Sequence, residues 1–394
     1  MKPLRPHLFL VLSSLLLLVA CREDVPVFTP EEESTGDSTQ IIPADTVQQE
    51  QIVGFYLLNE GNMGSNKSTL DYYDYATAVY RRNIYAEANP DVPKELGDVG
   101  NDLRIYGSRL YAVINCSNKI EVMDARTCKR IGQVDIPNCR YIRFHGQYAY
   151  VTSYAGPVSL LADHAQIGYV ARFDTATLTV SDTCLVGYQP DELAIVGSKI
   201  YVANSGGYMV PNYENTVSVI DLNTFKETKR IPVAVNLHRV RADKHGQLWV
   251  TSRGDYYNHP SRLYCIDLAT ETLIDSVETA VSNIDIVGDS LYFCASEWSY
   301  VEMKDVVTYG IVNVKTHKLV THNFITDGTE QAIIKPYGLK VNPVTHDIYV
   351  TDAKNYVTPG TLYCFSPDGV QRWAVRTGDI PSSLVFSVVK TPAE

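Results

Sequence analysis

A short strand centred on an aromatic residue recurs through the chain. It appears as FYLLN around Tyr56, LYAVIN around Tyr111, AYVTS around Tyr150, IYVANS around Tyr201, LWVTS around Trp249, LYFCAS around Tyr292 and IYVTDA around Tyr349. The first and last centres are 293 residues apart in six steps, a period near 49. A second series follows the first in register: Asp74-x-x-Thr77, Asp124-x-x-Thr127, Asp174-x-x-Thr177, Asp221-x-x-Thr224, Asp267-x-x-Thr270, Asn313-x-x-Thr316 and Ser366-x-x-Gly369. Each opens a tight turn, because a short polar side chain can cap the backbone amides two and three residues on. Around these anchors a unit reads as four short alternating strands, for example 191–196, 199–205, 216–222 and 227–233. Helical periodicity is absent. Four strands repeating at this period specify blades of a β-propeller. The expected fold is therefore all-β, a seven-bladed propeller over residues 51–394.

Closure of the ring can also be read from the ends. The N-terminal part supplies three strands of a blade, 52–58, 70–74 and 78–83. The missing innermost strand is 383–388, so one blade is built from N-terminal strands plus a C-terminal strand, which removes open sheet edges.

Residues 1–20 carry Lys2 and Arg5 ahead of an apolar run from Leu8 to Ala20. The run is shorter than the roughly 20 residues a membrane span needs and reads as a secretory signal. Its end, LVAC, matches a lipobox, which makes Cys21 the expected lipidation site and places the protein on a membrane surface through acyl chains. Residues 21–50 are acidic and rich in Pro, Ser and Thr, the composition of a flexible tether. The formal charge is −11, and −13 without the two basic residues of the signal, which excludes a nucleic-acid partner. Seven cysteines follow Cys21 with no CxxC spacing; most lie in apolar strands as buried thiols, and Cys116 with Cys139 is the one pairing left open as a disulfide.

Strand parity assigns the loops to faces. In a four-stranded blade the loop between the second and third strands emerges on the same side as the connection to the next blade. That side carries the long segments NEGNMGSNKS, SYAGPVSLLADHAQIGY, NSGGYMVPNYEN, SRGDYYNHPS, ASEWSYVEMKDVVTY and DAKNYVTPG, while the other carries only tight turns. Binding concentrates on long loops held by a rigid scaffold. The candidate ligand-binding residues are accordingly Asn62, Tyr154, Tyr208, Tyr213, Arg253, Tyr256, Tyr257, Trp298, Tyr300, Asn355 and Tyr356 from these loops. Arg140, Tyr141, His238, Arg239 and Tyr337, from the starts of the inner strands, complete the set. Tyr and Trp give rigid amphipathic contact area and Asn gives paired donors and acceptors, which suits a large amide-decorated ligand or a protein surface. Within the first loop, GNMGSNKS is one glycine short of a phosphate-binding loop. It leads into another strand, so no helix N-terminus stands behind it and no nucleotide site is expected.

The segments LLNEGNMGSNKSTLDYYD, KELGDVGNDLRIYG, NCSNKIEVMD, KPYGLKVNP and DIYVTDAKNYVTPGTLYCF resemble the YncE-like surface lipoproteins of Bacteroidota, and among them the BtuG-type cobalamin-binding propellers. The resemblance covers about residues 52–388. It implies a non-enzymatic, outer-membrane, surface-exposed lipoprotein that captures a corrinoid and passes it to a TonB-dependent transporter, with no cofactor and no metal of its own. An alternative keeps the binding module with another nutrient, or with the transporter as sole partner. The third class, an enzyme, lacks HExxH, GxSxG, an EF-hand loop and any zinc-ligand spacing.

Overall fold

The computed structural model describes residues 48–93, 95–158, 164–299 and 303–392. The signal, Cys21 and all but the last residues of the tether lie outside the described residues, as does Tyr300. The first strand begins at Gln48, three residues ahead of the expected start of the propeller.

Seven four-stranded antiparallel sheets form the blades. The seven aromatic centres all lie in the second strand of a blade and all are buried: Tyr56, Tyr111, Tyr150, Tyr201, Trp249, Tyr292 and Tyr349. Each removes roughly 150–250 Å² from water, and several tie one blade to the next through their polar tips. The Tyr56 hydroxyl donates to the Ala125 carbonyl at 2.8 Å, and the Tyr349 hydroxyl meets that of Tyr75 at 2.8 Å across the ring closure. The period read from the sequence is thus the spacing of inter-blade wedges.

The second series forms the outer turns. In six blades the Asp or Asn carboxamide or carboxylate oxygen accepts the amide of the residue three on, at 2.7–2.9 Å. The residue after the Thr then takes a left-handed conformation, as at Ala78, Cys128, Leu178, Phe225, Glu271 and His317. In the seventh turn Gly369 stands at φ +80° with the backbone of Phe324 against it, where a Cβ would sit 1.9 Å from a carbonyl oxygen.

One blade is closed by both ends of the described chain. Pro381–Pro392 is its innermost strand and pairs antiparallel with Gln48–Asn59, which continues to Thr69–Asp74 and Val79–Arg81. Two short helical pieces not evident from periodicity lie in blade connections, Ile84–Ala88 and a 3-10 turn at Thr329–Ala332. Ile84 and Tyr85 of the first plug the junction between the first two blades.

The open disulfide does not form. Cys116 is exposed and Cys139 buried, and both are free thiols, as are Cys128, Cys184, Cys265, Cys294 and Cys364. The Cys139 sulfur faces the carbonyls of Lys119 and Ile114 at 3.4 and 3.8 Å, inside the core. Burial pushes its thiol up to about 12, so it stays protonated and inert.

Candidate functional site

The long-loop face opens into a funnel of about 1470 Å³. Its wall comes from loops between second and third strands and from blade connections, as strand parity requires, with Asn62, Cys116, Asn138, Gly156, Tyr208 and Tyr356 among them, and its floor from the starts of innermost strands at Arg140, Tyr141, His238, Arg239 and Tyr337. The volume exceeds the roughly 300–1,000 Å³ of sites for drug-sized ligands.

The floor is made by an irregularity repeated in the innermost strands. Pairing with the second strand breaks between Cys139 and Ile142, between Leu237 and Val240, and between Pro336 and Leu339. Two residues bulge at each place: Arg140-Tyr141, His238-Arg239 and Tyr337-Gly338. The ladder partner lost there is replaced by a threonine of the second strand. Thr152 accepts the amide of Tyr141 at 3.1 Å, Thr251 that of Arg239 at 2.9 Å and Thr351 that of Gly338 at 2.7 Å. A bulge re-aims side chains, and here it turns five large polar ones to the mouth of the central channel. Gly338 is the sixth for steric reasons, since a Cβ would lie 2.3 Å from the Ser382 carbonyl oxygen of the neighbouring inner strand.

Asp191, fully buried, accepts the Tyr154 hydroxyl at 2.7 Å and Arg253 Nη1 at 3.0 Å, with Arg140 Nε at 3.7 Å. The Arg140 guanidinium lies 4.6 Å from the centre of the Tyr154 ring. Across the floor, Arg239 Nη1 donates to the Tyr141 hydroxyl at 3.0 Å, and that hydroxyl meets His238 Nε2 at 3.1 Å. Burial, and then the charges of Arg253, Arg239 and Arg140, hold His238 well below the usual histidine range, so its ring is neutral at pH 7. Below the floor Glu192 and Asp102 bind Arg104, Arg143 and Arg241 in a ring of charge around the channel.

Of the sequence candidates, the funnel brings together Asn62, Arg140, Tyr141, Tyr208, His238, Arg239, Arg253, Tyr256, Trp298, Tyr337 and Tyr356. Tyr154 sits behind the wall as the support of Arg140 and Asp191. Tyr257 is 73% exposed and lines a neighbouring groove of about 580 Å³ together with Trp298. Asn355 caps its own turn, accepting the amide of Thr358 at 2.9 Å, and Tyr213 stands in the loop after Asn204 without reaching the funnel lining. The GNMGSNKS loop does hold an anion, but an internal one. The amides of Gly64 and Asn66 donate to the Asp98 carboxylate at 2.8–3.3 Å, which occupies the donors a phosphate would need.

Glu60 is a lining residue that the loop composition did not single out. Its carboxylate accepts the Tyr337 hydroxyl at 3.0 Å, across 277 residues of sequence. Burial is the largest influence and pushes its pKa up to about 7, against the lowering effect of that hydrogen bond and of Arg239 and Arg140. A raised carboxyl contributes stability that is complete below about 4.5 and lost as pH rises through about 7. Melting temperatures recorded from pH 4.5 to 8 are expected to fall in the parent relative to Glu60→Gln; parallel profiles would remove the assigned shift.

Among curated proteins, no sequence matches this chain. Solved propellers share its fold. Hydrazine synthase of Kuenenia stuttgartiensis is 15% identical with a TM-score of 0.58, covering 75% of this chain and 95% of that one. A quinoprotein alcohol dehydrogenase-like protein of Bacteroides thetaiotaomicron is 14% identical with a TM-score of 0.59, covering 86% and 79%. A hypothetical selenium-binding protein of Sulfolobus tokodaii is 11% identical with a TM-score of 0.57, covering 87% and 94%. At such identities the likeness is one of fold alone. Residues 53–366 match the family model described as a domain of unknown function, DUF5074, and the chain belongs to that family.

Proposed function

We propose that the protein is a lipid-anchored surface module of the outer membrane. It binds a corrinoid in the funnel and passes it to a TonB-dependent transporter. The observation that carries this reading is the size and chemistry of the funnel: about 1470 Å³ on one face, with Tyr, Trp, Asn and Arg side chains around its wall and floor. A corrinoid is a broad, rigid macrocycle edged with carboxamides. Aromatic rings cover its faces, while guanidinium and hydroxyl groups bond its amide oxygens. The lipobox at Cys21 and the resemblance of LLNEGNMGS and the related segments to BtuG-type propellers support the same reading.

A second reading, in which the funnel rim docks a protein partner alone, draws on the exposed apolar residues there. Met63 is 81% exposed, and Tyr257 stands beside Trp298 over the smaller groove. Gel filtration of the purified protein with cyanocobalamin separates the two. Colour co-eluting at one per chain, and binding weakened at least tenfold by combined Tyr256→Ala and Trp298→Ala, is the expected result. Colour confined to the small-molecule volume would leave the partner-docking reading in its place.

A further inference from the structure

The floor of the funnel and the ring of charge below it together hold more guanidiniums than carboxylates. Six guanidiniums of the floor and the ring below it, those of Arg104, Arg140, Arg143, Arg239, Arg241 and Arg253, face four carboxylates, Glu60, Asp102, Asp191 and Glu192, while the other lining carboxylates, Asp98, Asp135 and Glu297, belong to the wall. Glu60 is only partly ionised at neutral pH, because burial raises it to about 7. Both oxygens of Asp191 are committed to Tyr154 and Arg253, and Glu192 is committed to the ring below. The excess is local, since the chain as a whole is at −11.

The unmatched donors are grouped. Arg239 has no ion pair among the described residues: Nη1 is bonded to Tyr141, and Nε is buried without a hydrogen-bond partner. Arg140 Nε, 3.7 Å from Asp191, likewise lacks a hydrogen bond. His238 is 8% exposed and its Nδ1 has no partner. When the Tyr141 hydroxyl, which accepts from Arg239, donates to His238 Nε2, the neutral ring carries its own proton on Nδ1. Three buried nitrogens, on the bulges of the two inner strands that flank Pro190–Val196, thus point to a missing acceptor, and buried donors left unpaired are costly. All three residues line the funnel. Arg offers a planar fork matched to two oxygens, the geometry by which it recognises carboxylate and phosphate.

We propose that Arg239, Arg140 and His238 Nδ1 form an oxyanion subsite that takes a phosphodiester or carboxylate group of the ligand bound in the funnel. The inference rests on the reading of the funnel as a ligand site and not on the ligand being a corrinoid.

The test uses the purified protein with dimethyl phosphate and with acetate as probes, at constant ionic strength against chloride, following the melting temperature and binding heat. Saturable stabilisation by one probe over chloride is expected, weakened at least tenfold in Arg239→Gln and retained in part by Arg239→Lys, which keeps the charge and controls for loss of fold. Preference for dimethyl phosphate assigns a phosphodiester, and preference for acetate a carboxylate. In a parallel arm, cyanocobalamin is compared with dicyanocobinamide, which lacks the phosphodiester; at least tenfold tighter binding of the former in the parent, and near equality in Arg239→Gln, is expected. Protection by dimethyl phosphate through Arg239 without any corrinoid binding would sustain the subsite and remove the corrinoid. No anion-specific stabilisation in the parent, or an undiminished one in Arg239→Gln, would overturn the subsite.

Discussion

Replacing Glu192 by alanine is expected to destabilise the propeller by about 3–5 kcal/mol, a fall in melting temperature on the order of 10 °C. Glu192 is fully buried and bonds Arg143 and Arg241, has Arg104 at 3.6 Å, and accepts the Val240 amide at 3.1 Å. It therefore joins the inner strands of four successive blades around the channel. Its removal leaves three guanidiniums facing one another with Asp102 as the nearest remaining counter-charge. The pH dependence has a definite sign. Burial is the largest influence on Glu192 and acts to raise its pKa, but the arginines outweigh it and hold the carboxyl well below the usual range. A depressed carboxyl contributes stability that is present above its unfolded pKa, about 4.3, and lost as pH falls below it. The gap between parent and Glu192→Ala should be widest near neutrality and narrow in acid. Denaturant unfolding at pH 7 and pH 3.5 measures it; a difference under about 1 kcal/mol at pH 7 would mean that the ring carries little net energy, as buried ion pairs sometimes do.

Deleting residues 381–394 is expected to abolish cooperative folding. The strand Pro381–Pro392 pairs with Gln48–Asn59 over eleven register positions. It also places Leu384 and Phe386 against Phe55, Tyr349 and Leu362 at the junction of the last and first blades. The Thr351 hydroxyl donates to the Pro381 carbonyl at 2.6 Å, fastening the new strand to the preceding blade. Without it the 48–59 strand becomes an open edge beside an exposed core face, the arrangement that leads to edge-to-edge aggregation. Calorimetry and limited proteolysis of the truncated chain should show no sharp transition and rapid cleavage. A melting temperature within a few degrees of the parent would show that the closing strand is dispensable.

Much of this architecture was legible because a propeller repeats its physics. The buried aromatic of each second strand and the capped Asp-x-x-Thr turn recur in register, so seven weak local signals add. The closing strand followed from counting strands in the blade that begins at Ile52. The funnel wall was legible for a different reason: strand parity alone sends the long loops to one side. What the loop composition missed lies where the repeat is broken. Arg140, Tyr141, His238, Arg239 and Tyr337 were legible as residues at the starts of inner strands, but the bulges that aim them do not alter the hydrophobic alternation enough to be seen by themselves. Their signal is in the neighbouring strand, a Thr two residues beyond the aromatic centre at Thr152, Thr251 and Thr351, which supplies the replacement acceptor. Glu60 with Tyr337 was invisible because their partnership depends on ring closure across 277 residues. The helix at Ile84–Ala88 spans too little sequence for its period to register. The Cys116 and Cys139 pairing fails because adjacent blades turn the two sulfurs to different surroundings, one to the funnel and one to the core.

Cys116 offers the most direct test of the funnel as the binding site. It is the exposed thiol among the seven described cysteines, and it lines the funnel. Coupling it to a bulky maleimide at mildly alkaline pH places a large group inside the funnel. Equilibrium binding of cyanocobalamin should then fall at least a hundredfold in the labelled protein, with the melting temperature unchanged. Equal binding by the labelled and unlabelled forms, or no binding by either, would contradict the assignment of corrinoid capture to this face.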